Sequence, residues 1–108
     1  MSIDSIKRQI EGYKRDIDRQ KSSVADCRED MANIRIRKSR DAESYTRKLK
    51  SASSVANKHS IRAQKKRDWE SYARKLDSEK DKIAKCRDRI KGYRENISRC
   101  RERIKRLR

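Results

Sequence analysis

The chain has 108 residues, of which 47% are charged and 31% hydrophobic, and its formal charge is +17. That is too little apolar material for a thick globular core, which leaves either disorder or helices joined along a narrow buried seam. No apolar run is long enough to span a membrane and no apolar leader core opens the sequence, so the expectation is a chain that starts in a cytoplasm, with leaderless export left open.

The sign of the charge suggests an anionic partner: nucleic acid, an anionic membrane or an acidic protein. The plainer alternative is a solvated helix surface with a basic bias. Cys27, Cys86 and Cys100 are an odd set without a C-x-x-C pair. They read as reduced thiols filling a seam, not as a disulfide framework or a zinc site.

In chain order, the first element is a heptad seam. Ile3, Ile10, Ile17, Val24 and Met31 fall at position a, and Ile6, Tyr13, Gln20, Cys27 and Ile34 at d. Gln20 is its polar interruption. The seam weakens at Lys38 and Asp41 and resumes at Tyr45 and Leu49. This predicts a helix over about residues 3–52.

Residues 51–60 break the repeat. They are rich in Ser and Asn, which bond their own backbone and favour turns and caps. The expected turn covers about residues 53–60, with Ser60 capping the next helix. That helix is expected over about residues 61–107. Its seam runs through Trp69, Tyr72, Leu76, Glu79, Ile83, Cys86, Ile90, Tyr93, Ile97, Cys100, Ile104 and Leu107. The heptad phase changes between Ile34 and Trp69, which a turn explains more simply than a continuous rod.

Two internal repeats accompany the seam. Ile10-Glu-Gly-Tyr-Lys-Arg-Asp-Ile17 matches Ile90-Lys-Gly-Tyr-Arg-Glu-Asn-Ile97, and Asp41-Ala-Glu-Ser-Tyr-Thr-Arg-Lys-Leu49 matches Asp68-Trp-Glu-Ser-Tyr-Ala-Arg-Lys-Leu76. Duplication and convergence under one heptad constraint both account for them.

The fold expected is all-α: one domain over residues 1–108, an antiparallel two-helix hairpin forming part of a larger helical bundle. Each helix is about 75 Å long at the standard rise. A parallel coiled coil and disorder until binding are the alternatives. In the expected register Tyr45 faces Tyr72, Val24 faces Tyr93, Ile17 faces Cys100 and Ile10 faces Leu107. Lys38 then meets Glu79, so the two charged interruptions pair. Ile3 and Ile6 are left without facing residues. Two unburied Ile side chains forfeit roughly 1.5–3 kcal/mol each. The overhang, with Ile3, Ile6, Ile10 and Leu107, is therefore expected to dock a helical partner or a second copy of the chain.

Gly12 and Gly92 stand at outer positions inside the helices, where Gly costs on the order of 1 kcal/mol against Ala. Either they are tolerated, or another helix approaches closely there. His59 is the only histidine and has no carboxylate or cysteine near it in sequence. With no glycine-rich phosphate loop either, no catalytic, metal or cofactor site is expected.

Residues 44–67 contain no acid. Lys58, Arg62, Lys65, Lys66 and Arg67 make this end of the hairpin a basic tip able to grip phosphates without reading bases. Trp69 opens the second seam. The stretch Trp69-Glu-Ser71-Tyr-Ala73 resembles the Trp-x-Gly-x-Ala motif of the small helical hairpins of type VII secretion and their accessory relatives, with Ser71 at the Gly place. The resemblance implies a helical hairpin that docks on partner helices, with Trp69 at the docking surface. Two functions are therefore expected of a non-enzymatic module: docking on partner helices, as in a secretion accessory, or binding polyanions such as nucleic acid.

Overall fold

The computed structural model describes residues 2–108. Two helices account for nearly all of them: α1 (Ile3–Ser51) and α2 (Val55–Leu107). They form an antiparallel, coiled-coil-like hairpin, with no strand among the described residues.

Local chemistry sets the ends. The amide of Ser5 donates to the hydroxyl of Ser2 at 3.1 Å, and that of Ile6 to the Ser2 carbonyl, also at 3.1 Å, so Ser2 caps α1. Asp4 in the first turn and Lys48 and Lys50 in the last complement the helix dipole. The Ser51 hydroxyl bonds the Arg47 carbonyl at 2.9 Å and occupies one of the terminal acceptors. Only Ala52, Ser53 and Ser54 separate the helices. Ser54 caps α2: its hydroxyl accepts the amide of Asn57, and its carbonyl that of Lys58, each at 3.1 Å.

The reversal thus comes earlier than expected. The turn is not residues 53–60, and Ser54 rather than Ser60 is the cap. A Ser at the first helical break suffices, and the polar stretch that follows is compatible with helix because it lies exposed. Moving a bend by a few residues changes the facing partner by twice as many. The register accordingly shifts by about one heptad.

The contacts divide the chain into two compact units, Met1–Cys27 with Asp81–Arg108, and Arg28–Lys80. In the first unit, Ile6, Ile10 and Ile17 of α1 pack with Ile90, Ile97, Cys100 and Ile104 of α2. Tyr13, not Val24, meets Tyr93, with ring centroids 6.1 Å apart. Cys100 reaches Gln9 rather than Ile17, its Sγ 3.8 Å from Oε1. Ile6, expected at a bare overhang, is the most buried large side chain at 1% exposure. Ile3 packs against the same cluster, whereas Leu107, expected to face Ile10, is 53% exposed.

In the second unit Tyr45 and Tyr72 are both buried in one cluster, and each bonds across the hairpin to an aspartate. Tyr45 donates to Asp68 and Tyr72 to Asp41. Lys38 does not pair with Glu79. Its ammonium lies 5.5 Å from the centre of the Trp69 ring, and Glu79 is buried beside Ile34 and Tyr72. A heptad shift preserves every a-to-d meeting, so the apolar pattern fits both registers. The observed one closes the core over Ile6, which the other leaves in water.

This register makes Ile6→Ala costly, by about 2–5 kcal/mol for a truncation in a packed core. Leu107→Ala should change stability by no more than about 0.5 kcal/mol. Urea unfolding followed by far-ultraviolet circular dichroism measures both. A neutral Ile6→Ala with a costly Leu107→Ala would restore the overhanging register.

Candidate functional site

The basic tip lies wholly within the Arg28–Lys80 unit, at the end of α1 and the opening turns of α2. Lys58, Arg62, Lys66 and Arg67 are exposed, as is His59. Lys65 is half-buried, because its ammonium sits over the Trp69 ring at 5.3 Å. Trp69 therefore has two ammonium neighbours, Lys65 and Lys38. Further cation–ring contacts join Lys48 to Tyr45 at 5.2 Å and Lys75 to Tyr72 at 5.9 Å. Each such contact is worth about 0.5–1 kcal/mol where exposed. They hold lysine stems down on the aromatic cluster and fix part of the tip's charge in place.

Beneath the tip lies a reciprocal clasp. The second repeat places Asp41 and Tyr45 one turn apart on α1, and Asp68 and Tyr72 one turn apart on α2. Each tyrosine donates to the aspartate of the other copy. Trp69 completes the cluster edge-on to both rings, 5.9 Å from Tyr45 and 6.0 Å from Tyr72. Asp68 also accepts the Gln64 amide at 3.0 Å, and Gln64 in turn accepts Arg67 at 2.7 Å. The acid nearest the tip in sequence is thus engaged by the clasp and Gln64.

The clasp perturbs both phenols. The hydrogen bond to Asp68, then burial, pushes Tyr45 from 10.0 up to about 12. Asp41 and burial do the same to Tyr72. A donated phenol proton cannot be lost without setting two anions together.

The residues expected to dock a partner do not form one surface. Ile6 and Ile10 lie inside the chain's own core, and Ile3 packs against it. Trp69 belongs to the clasp cluster in the other unit. Leu107 remains outside. Gly12 and Gly92 are half-buried, yet no helix of this chain approaches them. A methyl built at Gly92 meets nothing within 4 Å, and one at Gly12 meets only the end of Arg15 at 4.0 Å. All three cysteines are buried and none forms a disulfide. Among the described residues no group of His, Cys, Asp and Glu is placed to hold a metal, and no helix is long and apolar enough to cross a membrane.

The phenol shifts carry a pH dependence. The folded state favours the neutral phenols, so their contribution is complete below about pH 10 and is lost as pH climbs through about 12. Tyr45→Phe or Tyr72→Phe should cost about 1.5–3 kcal/mol at neutral pH, as for a hydrogen bond to a charged group. The difference from the parent chain should shrink between those pH values in denaturant titrations. A difference independent of pH would mean that the clasp does not form. Separately, Gly12→Ala and Gly92→Ala should each stabilise the isolated chain by about 0.8–1 kcal/mol through helix propensity alone.

No family model matches the chain, and neither the curated proteins nor the solved structures yield a match.

Proposed function

We propose that the chain is a non-enzymatic helical-hairpin module that binds polyanions, nucleic acid foremost, through its basic tip and without reading sequence. The supporting observation is a contrast between the two surfaces considered. The apolar seam expected to dock a partner is satisfied within the chain, with Ile6 at 1% exposure. The tip's Lys58, Arg62, Lys66 and Arg67 face solvent in a stretch without acids. Cations in that setting gain most from displacing counterions on a phosphate chain. The tip's aromatic rings pack on one another, which argues against base stacking as a source of sequence preference.

A second reading, docking of a partner helix as in a type VII secretion accessory, is favoured by one feature. Leu107 projects beside Arg103 and Arg106 at a groove that reaches Ile6. A single exposed leucine is a weak anchor, since isolated apolar surface residues are common.

Reversing Lys58, Arg62 and Lys66 to Glu tests the first reading. None of the three belongs to the clasp, so helicity should persist. Affinity for heparin and for DNA should fall at least about tenfold, and the salt dependence of DNA binding should flatten by two to three in log–log slope. Unchanged affinity would make the tip only a solvated surface.

A further inference from the structure

The unit formed by the two chain ends holds a groove of about 530 Å³ with a cationic rim, Lys14 and Lys21 from α1 and Arg94 and Arg101 from α2. All four are exposed. Ile17 and Ile97, each 7% exposed, lie at its base. The first repeat, carried one turn further, makes these residues equivalent: Lys14 with Arg94, Ile17 with Ile97 and Lys21 with Arg101. One carboxylate, Asp18, joins the lining, and its counterpart is the neutral Ser98. Lys14 also touches Glu11 at 3.4 Å, both well exposed, a pairing of the kind that costs little to exchange.

Antiparallel packing turns this equivalence into a line of charge. Tyr13 and Tyr93 meet across the hairpin, so their neighbours Lys14 and Arg94 share one level. Lys21 lies a heptad further along α1, about 10 Å away at the helical rise. Arg101 lies a heptad further along α2, about 10 Å in the opposite direction. The cations thus occupy three levels over about 20 Å. A compact anion reaches only the middle pair, whereas a chain of phosphates reaches all of them.

We propose that this groove is a second polyanion site, which holds the phosphodiester backbone of a nucleic acid lying along it. The proposal rests on the polyanion-binding reading and adds a site on the unit that does not contain the tip. Arg94 and Arg101 offer forks that grip phosphate oxygens in pairs, and Lys14 and Lys21 act as point charges. A protein occupant would need apolar side chains to anchor on, and Ile17 and Ile97 are already buried in the chain's own core. The lining contains no aromatic ring, so bases are not stacked and sequence is not read.

The test compares four chains for binding labelled oligothymidylate and polyglutamate at several salt concentrations. They are the parent, a groove variant (Lys14→Gln, Lys21→Gln, Arg94→Gln, Arg101→Gln), the tip variant described above, and a charge-matched control (Arg28→Gln, Arg35→Gln, Lys80→Gln, Lys85→Gln) whose sites are exposed and outside both surfaces. The groove variant should bind the oligonucleotide at least about tenfold more weakly, with a log–log salt slope lower by about three, as expected for single strands. The control should stay within about threefold of the parent. Equal losses in groove and control variants would mean that binding follows net charge, which overturns the groove. Unchanged binding by the groove variant also overturns it, and the tip variant then decides separately whether the polyanion reading stands. Tighter binding of polyglutamate than of the oligonucleotide would overturn the nucleic-acid occupant. Circular dichroism confirms folding, and if the fourfold variant loses helicity, Lys21→Gln with Arg101→Gln removes only the end charges and must still weaken binding.

Discussion

Ser54 accepts the amides of Asn57 and Lys58, and that cap decides where the chain reverses. Everything that faces anything else follows from it. Two long helices with the same heptad pattern can slide past one another by whole heptads without exposing an apolar side chain in their middle. The differences arise at the ends and at the few positions that are not apolar. With the bend at Ser54, the free end closes over Ile6, and Asp41 and Asp68 come within reach of Tyr72 and Tyr45. A bend several residues later would leave both acids without their phenols.

The second repeat gains a physical meaning from this arrangement. In an antiparallel pair, two copies of one segment face each other in opposite directions, related by a local two-fold. Any interaction from one copy to the other then occurs twice. An Asp and a Tyr one turn apart, repeated on both strands of the hairpin, form two equivalent bonds. The first repeat behaves likewise, with Tyr13 meeting Tyr93. Each repeat is a mating surface for its own copy, whether it arose by duplication or by convergence.

The seam was legible because heptad spacing is a local property of the chain, and it correctly specified two helices and nearly every buried side chain. The register was not legible from the same signal, since the pattern is unchanged by a heptad shift. Lys38 and Glu79 suggested one alignment because their charges are opposite. The structure prefers Lys38 over Trp69 and keeps Glu79 among Ile34 and Tyr72. A decisive clue was present in Asp41, Tyr45, Asp68 and Tyr72: their matched spacing on both helices allows a double bond pattern in one alignment only. The cationic groove depends on register and on the direction of both helices at once. Its residues looked like ordinary surface charge in sequence. The tip was legible because an acid-free run needs no partner helix to be recognised.

Charge remains the least satisfied feature of the molecule. Thirty-four basic side chains face seventeen acidic ones, and pairs such as Arg19 with Asp16 and Arg106 with Glu102 join neighbours on one helix. Exposed pairs of this kind contribute about 0–1 kcal/mol. They do little to offset repulsion along two closely packed helices of like charge. A net charge this far from zero keeps copies of the chain apart and weakens the compact state. The clasp, the caps and the isoleucine seam hold the hairpin together against that repulsion. A bound polyanion would act in the opposite sense: it would offset that repulsion, and would favour the folded chain to the extent that cations lined up by the hairpin hold it more tightly than the unfolded chain does. On the proposed polyanion reading, the excess charge and the narrow core would be parts of one arrangement, in which neutralisation by the ligand would add stability that a thin apolar seam does not supply.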